Sequence, residues 1–263
     1  MLETPLRLLT YLSPGLPFGL YQVVADYLAA SLGHEVAVAS APDGSGSGPG
    51  PGVPNPFASG EADVGFVCAP SYRWMSRGAS PTVELLGAAP CHDDPRCEGR
   101  PVYFAEVVTR KDAGPTRFEE LDGARVVYND PASLSGYHCL LGALDERSLR
   151  AESFFSTFEP SGSHHRSLEL IIEGRADAAA IDANVLNAAR SLGLPLPIST
   201  VCTLGPFPIQ PIVVRRGLGP IRIAIRDALL EMHLTAEGAP LRRYGVERFA
   251  LVDAAHYASV MGC

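Results

Sequence analysis

Apolar residues fall in short bursts along this chain, separated by turn-forming residues. Residues 6–12 are an apolar run between Pro5 and Ser13-Pro14-Gly15, which predicts a buried strand. From residue 18 to residue 32 the period changes. Leu20, Val23, Val24, Tyr27, Leu28 and Leu32 recur at helical spacing, and Gly33 supplies a stop. Residues 35–41 predict a second strand. A strand–helix–strand opening is the signature of a parallel sheet with helical crossovers.

The pattern continues after residues 42–56, a Gly/Pro/Ser stretch with the composition of a mobile loop. Strands are expected at 64–68, 85–89, 102–109, 125–128 and 178–181. Helices are expected after Ala69, near Ser135, around 168–172 and over 221–233, where Ile221, Ile225, Leu229 and Met232 share one face. Residues 102–109 have the length of a crossing between two lobes. Residues 201–214 are apolar but broken by Pro206, Pro208 and Pro211, and read as the return crossing. These crossings divide the chain into one discontinuous lobe, 1–100 plus 207–263, and a second lobe, 101–206. The fold class is α/β, with two lobes, a cleft between them and a hinge at the two crossings.

At 263 residues and 46% hydrophobic content, the chain can bury a sizeable core. Its net charge of -8 argues against nucleic acid as a partner. No apolar stretch is long enough for a membrane-spanning helix. The first ten residues have only Arg7 as a base and read as the first strand rather than a signal peptide. The protein is therefore expected to be cytoplasmic if Met1 is the native start, and periplasmic or extracellular if an export signal has been removed. Of the six cysteines, only Cys91 and Cys97 are close in sequence. A loop disulfide, free thiols and a metal site with His92, Asp93 and Asp94 all remain open there. A single Cys pair at this spacing is weak support for metal, so no metal and no cofactor is assigned.

Four segments carry chemistry, three of them at the exit of an expected strand and one at a polar helix start. Asn129-Asp130-Pro131-Ala132-Ser133-Leu134-Ser135-Gly136-Tyr137 opens a helix with small hydroxyl residues. Unpaired amides in a first helical turn, with Ser hydroxyls and a Gly for close approach, make an anion cradle. Ser161-Gly162-Ser163-His164-His165-Arg166 is a second polar helix start, with imidazoles and a guanidinium able to hold an oxyanion. Asp182 ends the strand at 178–181, at a sheet edge where ligands bind in open α/β folds. Tyr72 follows Ala69-Pro70-Ser71, and Tyr11 ends the first strand. Each has a plain structural alternative: helix caps for Ser133, Ser163 and Asp182, and packed aromatics for the tyrosines. No nucleophile elbow, zinc helix or dinucleotide fingerprint is present, so no catalytic residue is assigned.

Several pieces in this order resemble the phosphate/phosphonate substrate-binding family of ABC importers. They are Ser59-Gly60-Glu61-Ala62-Asp63-Val64-Gly65-Phe66, Ala69-Pro70-Ser71-Tyr72, Glu119-Glu120-Leu121-Asp122-Gly123, Pro131-Ala132-Ser133-Leu134-Ser135-Gly136-Tyr137, Gly162-Ser163-His164 and Glu173-Gly174-Arg175-Ala176-Asp177 through Asp182. The resemblance implies the type II periplasmic-binding-protein fold and capture of a small oxyanion of phosphate, phosphonate or phosphite type. It implies an ABC permease as partner and a monomer without enzymatic activity. Carried over, the ligand-binding residues are Ser133, Ser135, Gly136, Tyr137, His164 and Asp182, with Tyr72 and Tyr11 from the other lobe. His165 departs from the acidic or small residue expected there, and the loop at 42–56 replaces much of a helix. Two alternatives use the same fold: a cytoplasmic enzyme of the menaquinone- or thiamine-pathway type, and a ligand-sensing protein.

Overall fold

The computed structural model of the chain describes residues 4–261, apart from Pro14, Asp43 and Ala113 and the side chains of Val260 and Met261. Met1, on which the export expectation turns, and Cys263 lie outside the described residues. The chain begins one compact unit with Met1–Val102, builds a second with Tyr103–Phe207, and returns to complete the first with Pro208–Cys263.

The first pass forms β1 (Leu6–Thr10), α1 (Phe18–Leu32), β2 (Val36–Ser40), α2 (Pro56–Ser59), β3 (Val64–Phe66), α3 (Ala69–Ser76), β4 (Val83–Leu85) and β5 (Ala88–His92). Next come β6 (Val102–Arg110), β7 (Arg125–Tyr128), α4 (Cys139–Asp145), α5 (Ala151–Phe154), β8 (Thr157–Pro160), α6 (His164–Ile172), β9 (Ala178–Asp182), α7 (Ala183–Ser191) and β10 (Ile198–Pro208). The return adds β11 (Ile212–Arg215), α8 (Ile221–Glu231), β12 (Val246–Leu251) and α9 (Ala258–Met261). The unit boundaries fall at the start of β6 and the end of β10.

The first unit's main sheet has the order β2-β1-β3-β11-β4. β1 runs parallel to β2 and β3, while β11 is antiparallel to β3 and β4. β1 buries every second residue, Leu6, Leu8 and Thr10, as a strand with one face on a core must. α1 buries Leu20, Tyr21, Val24, Ala25, Tyr27 and Leu28, and ends at Gly33, whose φ of 59° the missing Cβ permits. The expected strand over 85–89 is instead two strands. Gly87, at φ 93°, breaks the run, leaving β4 in the main sheet and pairing β5 with β12 in a separate ribbon. The loop expected to be mobile over 42–56 is fastened at its centre. Ser47–Gly50 is buried, the Cys68 amide donates to Ser47 O at 2.8 Å, and Ser71 Oγ donates to Pro49 O at 2.6 Å.

The second unit's sheet has the order β10-β6-β9-β7-β8. β6 is antiparallel to β9, whereas β7 is parallel to both β9 and β8. β9, Ala-Ala-Ala-Ile-Asp, is buried at every position, consistent with a central strand covered on both faces. Val107, Leu121, Val126, Leu140, Leu144 and Ala180 fill the core on one side.

One buried carboxylate joins the first unit's two chain passes. Asp63, just before β3, accepts hydrogen bonds from the Arg7 backbone N (2.9 Å), Arg7 Nε (2.9 Å), Arg7 Nη2 (3.1 Å) and Arg215 Nε (2.5 Å). Burial pushes this carboxyl up, but the bonds from Arg7 and Arg215 outweigh it and hold it below the usual carboxylate range. Removing the charge leaves Arg215 facing a partly buried site without its anion. Asp63→Asn is therefore expected to cost about 2–3 kcal/mol, at the lower end for a buried pair because both arginines keep some solvent contact. Urea unfolding of parent and variant at neutral pH measures this. A loss under about 0.5 kcal/mol would show that the triad does not brace the sheet.

Candidate functional site

Three neighbouring strands of the second unit, β8, β7 and β9, run in the same direction. Their carboxyl ends, Pro160, Tyr128 and Asp182, therefore lie at one sheet edge, and each leads into a helix start. Backbone bonds tie the first two exits together: Ser161 N donates to Tyr128 O at 2.7 Å and Gly162 N to Asn129 O at 2.9 Å. Ser161 Oγ adds contacts to Tyr128 O (3.1 Å) and Ser167 Oγ (2.7 Å).

After β7 the chain turns on Asp130, whose Oδ1 accepts from Ala132 N at 2.9 Å. The expected helix near Ser135 begins as a π-helical turn, Leu134–His138, which runs on into α4. Such insertions often mark functional positions because they redirect amides and side chains. Ser133 caps this turn by accepting from Gly136 N at 3.0 Å. An accepting hydroxyl keeps its own proton to donate, so the cap and the anion reading are compatible. Ser135 Oγ lies 3.3 Å from His164 Nε2, joining segments 29 residues apart. A Cβ on Gly136 would collide with Asn129 Oδ1 and come within 3.3 Å of His164 Cε1, so glycine is required for this close meeting.

His164 opens α6, and its neighbour Ser163 caps that helix through Arg166 N at 3.0 Å. The His164 Nδ1 is buried without a hydrogen-bond partner. Desolvation by burial, with a smaller contribution from His165, pulls this imidazole down to about 3, so it is neutral near pH 7. Arg166 pairs on its own helix, 2.7 Å from Glu169 and 3.8 Å from Glu173. Tyr137 joins a ring cluster, with centroids 4.6 Å from Tyr128 and Tyr128 likewise from Phe158, and stacks on Phe158 at 5.5 Å. Asp182 is 3% exposed and caps α7 by accepting from Asn184 N at 2.8 Å. Asn129, the first residue after β7, is also buried here and donates to Asp130 Oδ2 at 2.9 Å.

Ser133, Ser135, Gly136 and His164 thus come together directly, with Tyr137 beside them and Asp182 at the same edge. Tyr72 and Tyr11 belong to the first unit. Tyr72 is buried in α3 and meets Tyr257 edge-on at 5.8 Å. Tyr11 follows β1, donates its amide to Phe66 O at 2.9 Å, and lines an open groove with Leu8, Val38, Val53 and Pro54. Burial pushes its phenol up to about 12, which keeps it protonated. Cys91 and Cys97 are buried free thiols, and Asp94 is engaged by Arg96 at 2.6 Å. Among the described residues, no three His, Cys, Asp or Glu side chains group to hold a metal ion.

A family model described as the periplasmic substrate-binding protein of a phosphonate ABC transporter matches residues 10–257. Similar solved structures include a binding-protein component of an ABC phosphonate transporter from Pseudomonas aeruginosa. It has 15% identity and a TM-score of 0.80, covering 98% of this chain and 85% of that one. Another is a Prochlorococcus marinus protein in complex with methylphosphonate. It has 14% identity and a TM-score of 0.80, covering 98% and 96%. A third, from Xanthomonas citri and bound to ATP, has 16% identity and a TM-score of 0.70, covering 99% and 95%. At these identities the likeness establishes the fold, a two-lobed type II periplasmic-binding-protein fold.

Two histidines give the molecule an acid-side signature. Desolvation pulls His92 down to about 4 and His164 down to about 3, from an ordinary 6.5. The unfolded chain takes up these protons near pH 6.5, while the folded protein does not until about 4 or 3. Stability from these groups is therefore full above pH 6.5 and falls as the pH drops through that window, by up to about 1.4 kcal/mol per pH unit for each imidazole. Urea unfolding at pH 7.5, 6 and 5 should show a shallower decline for His92→Gln and His164→Gln than for the parent. Identical slopes in all three would contradict the neutral assignments.

Proposed function

The chain belongs to the periplasmic substrate-binding family of phosphonate ABC transporters, and from that premise we propose that it captures a small phosphorus oxyanion for an ABC importer. Phosphate, phosphite and a short alkylphosphonate are the candidate ligands. The observation that carries this reading is the meeting of Ser135 with His164 beside the Ser133-capped π-turn, which joins two exits of one parallel sheet edge. Ser133 supplies a hydroxyl donor to the oxyanion, and the Ser135–His164 pair supplies one more, from the Ser135 hydroxyl or from His164 Nδ1 according to the imidazole tautomer. Asp182 accepts a hydrogen bond from a ligand hydroxyl or pairs with a ligand amine. Tyr137 contributes an aromatic wall.

No step of chemistry is needed. Affinity comes from fixed neutral dipoles in a desolvated site, which hold an anion without a formal positive charge. An acidic protein is no obstacle, since its net charge acts mainly at long range. The family match and the similar transporter components are solute-binding proteins, and they lend no support to the enzyme alternative.

A thermal-shift and calorimetric series against phosphate, phosphite, sulfate, methylphosphonate and aminoethylphosphonate tests the reading. A ligand at about 100 times its dissociation constant should stabilise the protein by roughly 2.7 kcal/mol. The Ser133→Ala/Ser135→Ala double variant is expected to bind at least tenfold more weakly. Equal binding by parent and double variant would remove the cradle assignment, and indifference of the parent to every phosphorus oxyanion would remove the function.

A further inference from the structure

The exit of β9 holds a polar side chain that neither the sequence motifs nor the cradle accounts for. Asn184, the second residue of α7, is 4% exposed. Its backbone amide is used, donating to Asp182 Oδ1 at 2.8 Å. Its side-chain Nδ2 is buried and has no hydrogen-bond partner. An amide donor out of water and unpaired carries a standing desolvation penalty, and buried polar groups in folded proteins are almost always paired. A simple apolar residue would avoid that penalty at this position.

Position supplies the reason for keeping it. β9 is the parallel neighbour of β7, with Val126 opposite Ala178 and Val127 opposite Ala179, so α7 starts at the same edge as the Ser133–Tyr137 turn. His164 Nδ1, the other unpaired buried nitrogen of this unit's site, starts the helix after β8. Two buried nitrogens without protein partners therefore stand at helix starts on either side of the π-turn. We propose that Asn184 is a ligand-contacting specificity residue, whose side-chain amide donates to an oxygen of the bound oxyanion and makes the β9 exit a third arm of the cradle. This rests on the oxyanion-binding reading above.

A carboxyamide also discriminates by charge. It welcomes an anion's oxygen, whereas a carboxylate of the same shape repels it. Asn184→Asp is thus a nearly isosteric test, and Asn184→Ala removes the donor alone. With methylphosphonate and inorganic phosphate as probes at pH 7.5, calorimetry should show about tenfold weaker binding for Asn184→Ala. Asn184→Asp should bind at least a hundredfold more weakly. Without ligand, Asn184→Ala should melt no lower than the parent, because an unpaired donor contributes nothing to the empty protein. Affinity unchanged in both variants, while Ser133→Ala/Ser135→Ala loses binding, would overturn the role of Asn184 and leave the cradle standing. A clear drop in the ligand-free melting temperature of Asn184→Ala would assign the residue to packing and also overturn the proposal. A parent that binds neither probe would overturn the cradle and this inference together.

Discussion

Everything at the site depends on β8, β7 and β9 running the same way. Parallel pairing sends all three carboxyl ends to one edge and obliges the chain to return along the faces of the sheet as helices. Each return begins with backbone amides that lack intrahelical partners, so one sheet edge acquires three clusters of donors. Reversing any one strand would send its helix start to the opposite edge. The fully buried Ala-Ala-Ala-Ile run of β9 and the apolar Val126 and Val127 of β7 hold this arrangement from within.

The local chemistry of the edge is mostly neutral. Ser133, Ser135 and Gly136 are uncharged, and desolvation keeps the His164 ring unprotonated near neutrality. The nearest guanidinium in sequence, Arg166, is paired on its own helix. Charges elsewhere do structural work instead. The Asp63 carboxylate fastens β1 to β11 through Arg7 and Arg215, the latter 152 residues along from Asp63, in the unit that the chain leaves and re-enters. Formal charge braces the first unit, while oriented dipoles dominate the candidate site of the second.

Much of this was legible in the sequence because hydrophobic period and turn chemistry agreed. α1 and β7 lie where the pattern puts them, and the exits of β7 and β9 carry the residues singled out as candidates. Other features were hidden for physical reasons. Thr157-Phe158-Glu159-Pro160 carries one apolar residue and ends in proline, so nothing in it advertises a strand. It is an edge strand, paired among the described residues only with β7. The apolar run at 85–89 concealed a break that depends on the backbone of Gly87. The π-turn carries Gly136 close to Asn129 and His164, an approach across the sheet edge that no local window contains. Asn184 gave no signal at all, since an asparagine at the start of a helix is ordinary. Only its burial without a partner for Nδ2 sets it apart.

The most direct test of the central claim is a titration of uniformly ¹⁵N-labelled protein with methylphosphonate, followed by amide chemical shifts. The account predicts the largest changes at Ser135, Gly136 and Tyr137, with smaller ones at His164 and Asn184, all at one sheet edge of the second unit. Shifts centred on the groove beside Tyr11, Val38 and Pro54, with the Gly136 region unmoved, would contradict it.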